Sequence, residues 1–245
     1  MADSGASCQG REPSGPLARV EEDPLVFSTM KRLVIYDLDG TLVDTAEDIA
    51  NAANYMLQVL SNAPLSREDI QRLVGKGLHD LITRCLRTDD PTVIAQGMAQ
   101  FEAYYGKHLF DHSALYPQAQ DILEYFKRRH QAVITNKPQP FARQLLEGLG
   151  IAGYFSDIIA TGSGFPKKPD PTAVVSLMAA KGVTAQETLI VGDSGIDLET
   201  GRNAGVFTVI LSHGFADEEE LAAGAPDVLV KNFAELLELA KQRGW

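Results

Sequence analysis

From Tyr116 to the C-terminus the chain alternates short apolar runs with amphipathic stretches, and that rhythm restricts the possible folds more than any other feature. "PQAQDILEYFKRRH" leads into "QAVITN", "PQPFARQLLEGLG" into "FSDIIAT", and "PDPTAVVSLMAAKG" into "TLIVGD". "DLETGRNAG" then precedes "VFTVILS", "DEEELAAG" precedes "DVLV", and "NFAELLELAKQR" closes the chain. Short runs without polar alternation are strands buried on both faces, and the intervening helices cover those faces. One more such run, "KRLVIYD" at 31–37, stands alone near the start. The expected class is therefore a doubly wound, Rossmann-like parallel α/β sheet.

The stretch between that first run and the later rhythm is helical in pattern. "TAEDIANAANYMLQVL" opens with Thr45 as an expected N-cap and Asp48 as a carboxylate in the first turn. Two further helical stretches follow, broken at Gly75-Lys76-Gly77 and at Pro91, and no strand-like alternation occurs before Ala114. The division expected is a core from 30–44 and 115–245, with a helical insertion at 45–114 after the first strand. Residues 1–29 are polar and rich in Gly, Pro and Ser, without an apolar segment of the signal-peptide kind, and read as a disordered tail.

In sheets of this class ligands sit beyond the carboxyl ends of the strands. The chemistry-bearing residues fall there. Asp37 and Asp39 end the first run, Thr135 ends "QAVIT", Lys168 follows "DIIAT", and Asp193 ends "TLIVGD" with Asp197 four positions on. Two carboxylates two positions apart raise each other's pKa unless something neutralises or uses them. A phosphoryl transfer uses a nucleophile, a proton donor, a divalent cation and donors for the phosphoryl oxygens. Asp37 is the candidate nucleophile, forming an aspartyl-phosphate. Asp39 is the candidate acid and base, sharing a face with Asp37 along extended backbone. Asp37, the carbonyl of Asp39 and Asp193 are candidate Mg²⁺ ligands. Thr135, with the neighbouring Asn136, and Lys168 are candidates to hold the phosphoryl group. Asp197, near a helix start, is expected to orient Lys168 or a metal-bound water. The five histidines form no spaced set.

Composition narrows the partners. Lys+Arg 22 against Asp+Glu 33 leave a net charge of −11, which disfavours nucleic acid and anionic membranes. A small anionic substrate stays admissible, because one metal ion and one lysine reverse the local potential. Cys8 and Cys85 lack both disulfide-framework and zinc spacing, which fits a reducing, cytoplasmic setting. No apolar run is long enough to span a membrane. A monomer or homodimer is expected.

Together, "DLDGT", the Thr of "VITN", the Lys of "KKPDP" and "GDSGID" resemble the four motifs of the haloacid-dehalogenase-like hydrolase superfamily, over roughly 31–243. The second acid, Asp39, points to its phosphatase branch, and the insertion at 45–114 resembles that superfamily's four-helix cap, which closes over the crevice. "LVGKGLHDLI", "VITNKPQPFARQLLEGLGI", "VGDSGIDLETGRNAGV" and "GAPDVLVKNFAELLEL" are most similar to the phosphoglycolate phosphatases. "GDSGID" departs from the pattern at Gly195 and Ile196, where relatives often carry longer polar residues. The resemblance implies Mg²⁺-dependent hydrolysis of 2-phosphoglycolate to glycolate and phosphate. The substrate's carboxylate then needs its own cationic or N–H-rich spot, for which Lys76 between two glycines is the first candidate and Lys137 the second. Sugar-phosphate phosphatases, pyrophosphatases and β-phosphoglucomutases share much of this pattern. A receiver-type signalling module shares the acidic cluster, the Thr and the Lys, but the long helical insertion and Asp39 count against it.

Overall fold

The computed structural model describes residues 29–245. The stretch read as a disordered tail, and Cys8 within it, lie outside the described residues apart from Thr29.

The first apolar run forms β1 (Leu33–Tyr36), and its four side chains are fully buried. Each such aliphatic or aromatic side chain stabilises the fold by about 1.5–3 kcal/mol. Around it lie β4 (His130–Pro138), β5 (Asp157–Thr161), β6 (Thr188–Gly192), β7 (Phe207–Leu211) and β8 (Val228–Val230). The sheet runs β5-β4-β1-β6-β7-β8, and each neighbouring pair is parallel. β1 is thus central, and the chain winds first to one side of it and then to the other.

Both faces are covered, as the unalternated runs require. Val34 and Tyr36 pack with α5 (Ala119–Tyr125), α6 (Gln139–Gly148) and α10 (Phe233–Arg243). Leu33 and Ile35 point the other way, into Ala173, Val174 and Leu177 of α7 (Thr172–Lys181). The edge is closed by α8 (Gly195–Ala204) and α9 (Glu218–Ala223), joined through Leu198, Ile210 and Leu221.

Between the first strand and the rest lie α1 (Ala46–Val59), α2 (Arg67–Gln71), α3 (Leu78–Leu86) and α4 (Pro91–Tyr105). α1 packs on α2 and α4, and α3 on α4. The break at Pro91 has a local cause: Asp90 accepts from Thr92 N at 2.8 Å, and proline at the first helical position needs no partner for its nitrogen. Two short strands that the sequence pattern missed, β2 (Val43–Asp44) and β3 (Ala114–Leu115), pair antiparallel where the chain leaves and re-enters the sheet region. Two-residue strands carry no periodicity to detect.

One expectation for α1 is corrected, and the other, Asp48 in the first turn, holds with a further role. Thr45 occupies the N-cap position, but its side chain accepts no capping bond, and its hydroxyl donates to Asp39 Oδ1 at 2.8 Å. Asp48 is 1% exposed and accepts from His112 N, Ser113 N and Ser113 Oγ, the last at 2.7 Å, so it ties α1 to the returning chain.

Candidate functional site

β1 ends at Tyr36, and Asp37 N still pairs with Val191 O at 3.0 Å, so Asp37 leaves the sheet beside the end of β6. Lys168 arrives from the loop before α7 and places Nζ 2.8 Å from Asp37 Oδ1 and 2.6 Å from Asp197 Oδ1. Asp197 is fixed from its other oxygen, which accepts from Ser194 N and Ser194 Oγ at the start of α8, a capping-box relation. With both oxygens engaged, Asp197 holds the lysine rather than reaching onward.

Asp193 directly follows β6 and is 2% exposed. Its Oδ1 accepts from Thr41 Oγ1 at 2.6 Å and its Oδ2 from Phe215 N at 2.9 Å. Oxygens of Asp37, Asp193 and Asp197 lie within 4.8 Å of one another. Three carboxylates, two of them buried, thus crowd around the one Lys168 ammonium. Asp37 Oδ1 is moreover a buried acceptor without a hydrogen bond, since Lys168 approaches it off hydrogen-bond geometry. The titration behaviour follows. Burial pushes the Asp37 carboxyl up to about 6, with Lys168 opposing and Asp197 adding. Burial and then the charges of Asp197 and Asp37 hold Asp193 well above the ordinary carboxylate range. Burial alone would lower Lys168, but Asp197 and Asp37 override it and its pKa is raised. An all-oxygen, carboxylate-rich site of this kind fits a hard divalent cation such as Mg²⁺.

On the far side of Asp37, Asp39 Oδ1 accepts from both Thr45 Oγ1 and Lys137 Nζ, the latter at 2.9 Å, and these bonds leave Oδ2 free. Asp37 and Asp39 stand at the junction of two cavities. An outer crevice of about 460 Å³ adds Asp193, Ser194, Gly75 and Lys76. An inner chamber of about 50 Å³ adds Thr135, Asn136, Lys137 and Tyr105. Gly40, in the turn between them, has φ +83°, and a Cβ there would fall within 3.0 Å of Asp193. Only glycine combines that backbone with that approach.

Eight of the nine residues singled out from the sequence, Lys137 included, thus border one of the two cavities or hold a residue that does, and Lys76 lies on the outer rim, exposed. Thr135 does not end its strand as expected: β4 runs on to Pro138 with a register irregularity after Ile134, which sets Thr135, Asn136 and Lys137 along the crevice. The Asn136 side chain, beside Thr135, is engaged by the protein itself. Its Nδ2 donates to Gly75 O at 2.9 Å and Lys168 O at 3.0 Å, and its Oδ1 accepts from Lys168 N at 2.9 Å. With both amide protons spent, it positions Lys168. Sequence reading passed over Thr41, although it closes "DLDGT", and Tyr105, Gly214 and Phe215, which carry no local signal.

Fold and site together define an enzyme of the parallel α/β class built around a buried carboxylate cluster. A family model described as haloacid dehalogenase-like hydrolase matches residues 34–211, and the chain belongs to that family. Members are generally magnesium-dependent. The phosphoglycolate phosphatase of Vibrio parahaemolyticus is 36% identical, over 85% of this chain and 95% of its own. That of Pseudomonas putida is 35% identical, over 88% and 82%. Among solved structures, a predicted phosphoglycolate phosphatase from Haemophilus somnus superposes with a TM-score of 0.82 at 29% identity, covering 86% of this chain and 98% of that one. No helix among the described residues is long and apolar enough to cross a membrane.

Proposed function

We propose that the chain is a magnesium-dependent phosphomonoester hydrolase that converts 2-phosphoglycolate and water to glycolate and phosphate. The observation that carries this reading is that Asp37, which borders both crevice and chamber, has the Lys168 ammonium 2.8 Å away and the Asp193 carboxylate within 4.8 Å. The names of the relatives at about 35% identity support the choice of substrate.

An Asp37 carboxylate oxygen attacks phosphorus, and the bond from phosphorus to the glycolate oxygen breaks. Asp39 Oδ2 supplies the proton that the departing oxygen takes up. The same oxygen then removes a proton from the water that attacks the aspartyl-phosphate, which returns Asp37 and releases inorganic phosphate. Lys168 offsets charge on Asp37 and on the phosphoryl oxygens, while the Thr135 hydroxyl donates to one of them. Asp37, Asp193 and the Asp39 carbonyl are the groups that would hold Mg²⁺, whose contribution is to neutralise the carboxylates and the phosphoryl charge. Helices α1–α4, at 45–114, serve as a cap over the chamber that excludes bulk water.

Phosphate release from a panel of phosphomonoesters, with Mg²⁺ and with EDTA, tests the reading. 2-Phosphoglycolate should show the highest kcat/KM, and EDTA should abolish turnover. A sugar phosphate that outranks it, or EDTA-resistant activity, would replace the reading.

A further inference from the structure

2-Phosphoglycolate differs from a plain alkyl phosphate by its carboxylate, and that group must find donors wherever the glycolate arm lies. The inner chamber beside Asp37 encloses about 50 Å³, room on the order of a few water-sized groups. That has room for a carboxymethyl arm. Much of its wall is apolar, with Ile49, Leu81, Phe101 and Phe141 among the residues that line it. A carboxylate set against those side chains alone would lose its hydration without replacement.

Two polar groups interrupt that wall. Lys137, 6% exposed, places Nζ 2.9 Å from Asp39 Oδ1 and 2.7 Å from Tyr105 Oη. An ammonium has three N–H donors, and the third has no acceptor among the described residues. Tyr105, 1% exposed on α4, accepts from Lys137, and its own O–H proton likewise has no acceptor among the described residues. Buried donors in native proteins are normally paired. Here two spare donors, one of them cationic, border the same small chamber.

We propose that Lys137 Nζ and Tyr105 Oη form the subsite for the substrate's carboxylate, one donor to each oxygen, while the phosphoryl group sits at Asp37 and Thr135. The assignment rests on the phosphoglycolate reading above. It moves carboxylate recognition away from Lys76, which is exposed and borders the outer crevice rather than the chamber. It also makes the selectivity depend on both parts of the fold, since Lys137 comes from β4 and Tyr105 from the inserted helices.

The test is the ratio of kcat/KM for 2-phosphoglycolate to that for ethyl phosphate, which lacks the carboxylate, at saturating Mg²⁺. Wild type, Lys137→Met, Tyr105→Phe and Lys76→Ala are compared. Lys137→Met slows both substrates because the lysine also touches Asp39, so the ratio isolates the carboxylate. It should fall about 30-fold in Lys137→Met and about fivefold in Tyr105→Phe, as a charged and a neutral hydrogen bond are lost. A ratio unchanged in either variant, with wild type preferring 2-phosphoglycolate, overturns the subsite and leaves the proposed function standing. A ratio that collapses only in Lys76→Ala returns the role to that loop. A wild type without preference overturns the substrate reading, and the subsite with it.

Discussion

Replacing Gly214 with alanine should weaken magnesium activation while leaving every carboxylate in the sequence. A Cβ built on Gly214 falls within 3.0 Å of Asp193 Cβ, Cγ and Oδ2, closer than real Cβ atoms come. Asp193 is buried and cannot yield toward solvent. To regain an ordinary contact of 3.4 Å its side chain must move by roughly 1 Å in a close-packed interior. A shift of that size takes the bonds from Thr41 Oγ1 and Phe215 N, now 2.6 and 2.9 Å, beyond hydrogen-bond range. Mg²⁺ accepts little departure from octahedral geometry. Loss of the partners that orient a metal-binding carboxylate costs roughly 10- to 100-fold in affinity. The assay is the free Mg²⁺ concentration giving half-maximal phosphate release at saturating substrate, with the Mg²⁺-dependent rise in Tm as a second readout. The half-activating concentration should increase at least about tenfold, and the Tm response should shift to the same higher range. Half-activation within about twofold of wild type would refute the reasoning, for Asp193 would then tolerate displacement.

Asp37→Asn should remove turnover, lowering kcat by at least about a thousandfold because the amide cannot form the acyl phosphate; single-turnover phosphate release within tenfold of wild type would contradict the nucleophile assignment. Asp48→Ala should lower stability by about 3 kcal/mol in urea denaturation, since the N–H groups of His112 and Ser113 lose their acceptor. A change below about 0.5 kcal/mol would show that the returning chain is held otherwise. In EDTA, stability should fall as pH rises from about 4 to about 6. The native Asp37 carboxyl, at about 6, and the raised Asp193 keep protons that the unfolded chain, near 3.9, has released, so the native state binds more protons across that window. Saturating Mg²⁺ should flatten this slope, and urea midpoints that rise with pH in EDTA would oppose it. Asp48, whose pKa is lowered, acts in the other direction only at more acid pH, where its stabilisation is lost as it protonates.

The sequence by itself determined the sheet, the end of the sheet where the carboxylates gather, and most of the polar residues placed there. Unalternated apolar runs are legible because burial on both faces is a local compositional demand, and Asp37, Thr135, Lys168 and Asp193 follow those runs. The insertion of helices was equally plain, since Pro91 and the Gly75–Gly77 turn punctuate it. Tertiary structure alone decided what each polar group is paired with. Thr45 stood at a helix start and was read as a cap, yet Asp39 takes its hydroxyl. Asn136 stood beside Thr135 with nothing local to show that its side-chain amide donates to the carbonyls of residues 75 and 168. Tyr105, thirty-two positions from Lys137, meets it only because α4 folds over β4. A hydrogen bond depends on distances of a few tenths of an ångström between segments far apart in the chain, and no local pattern encodes that separation.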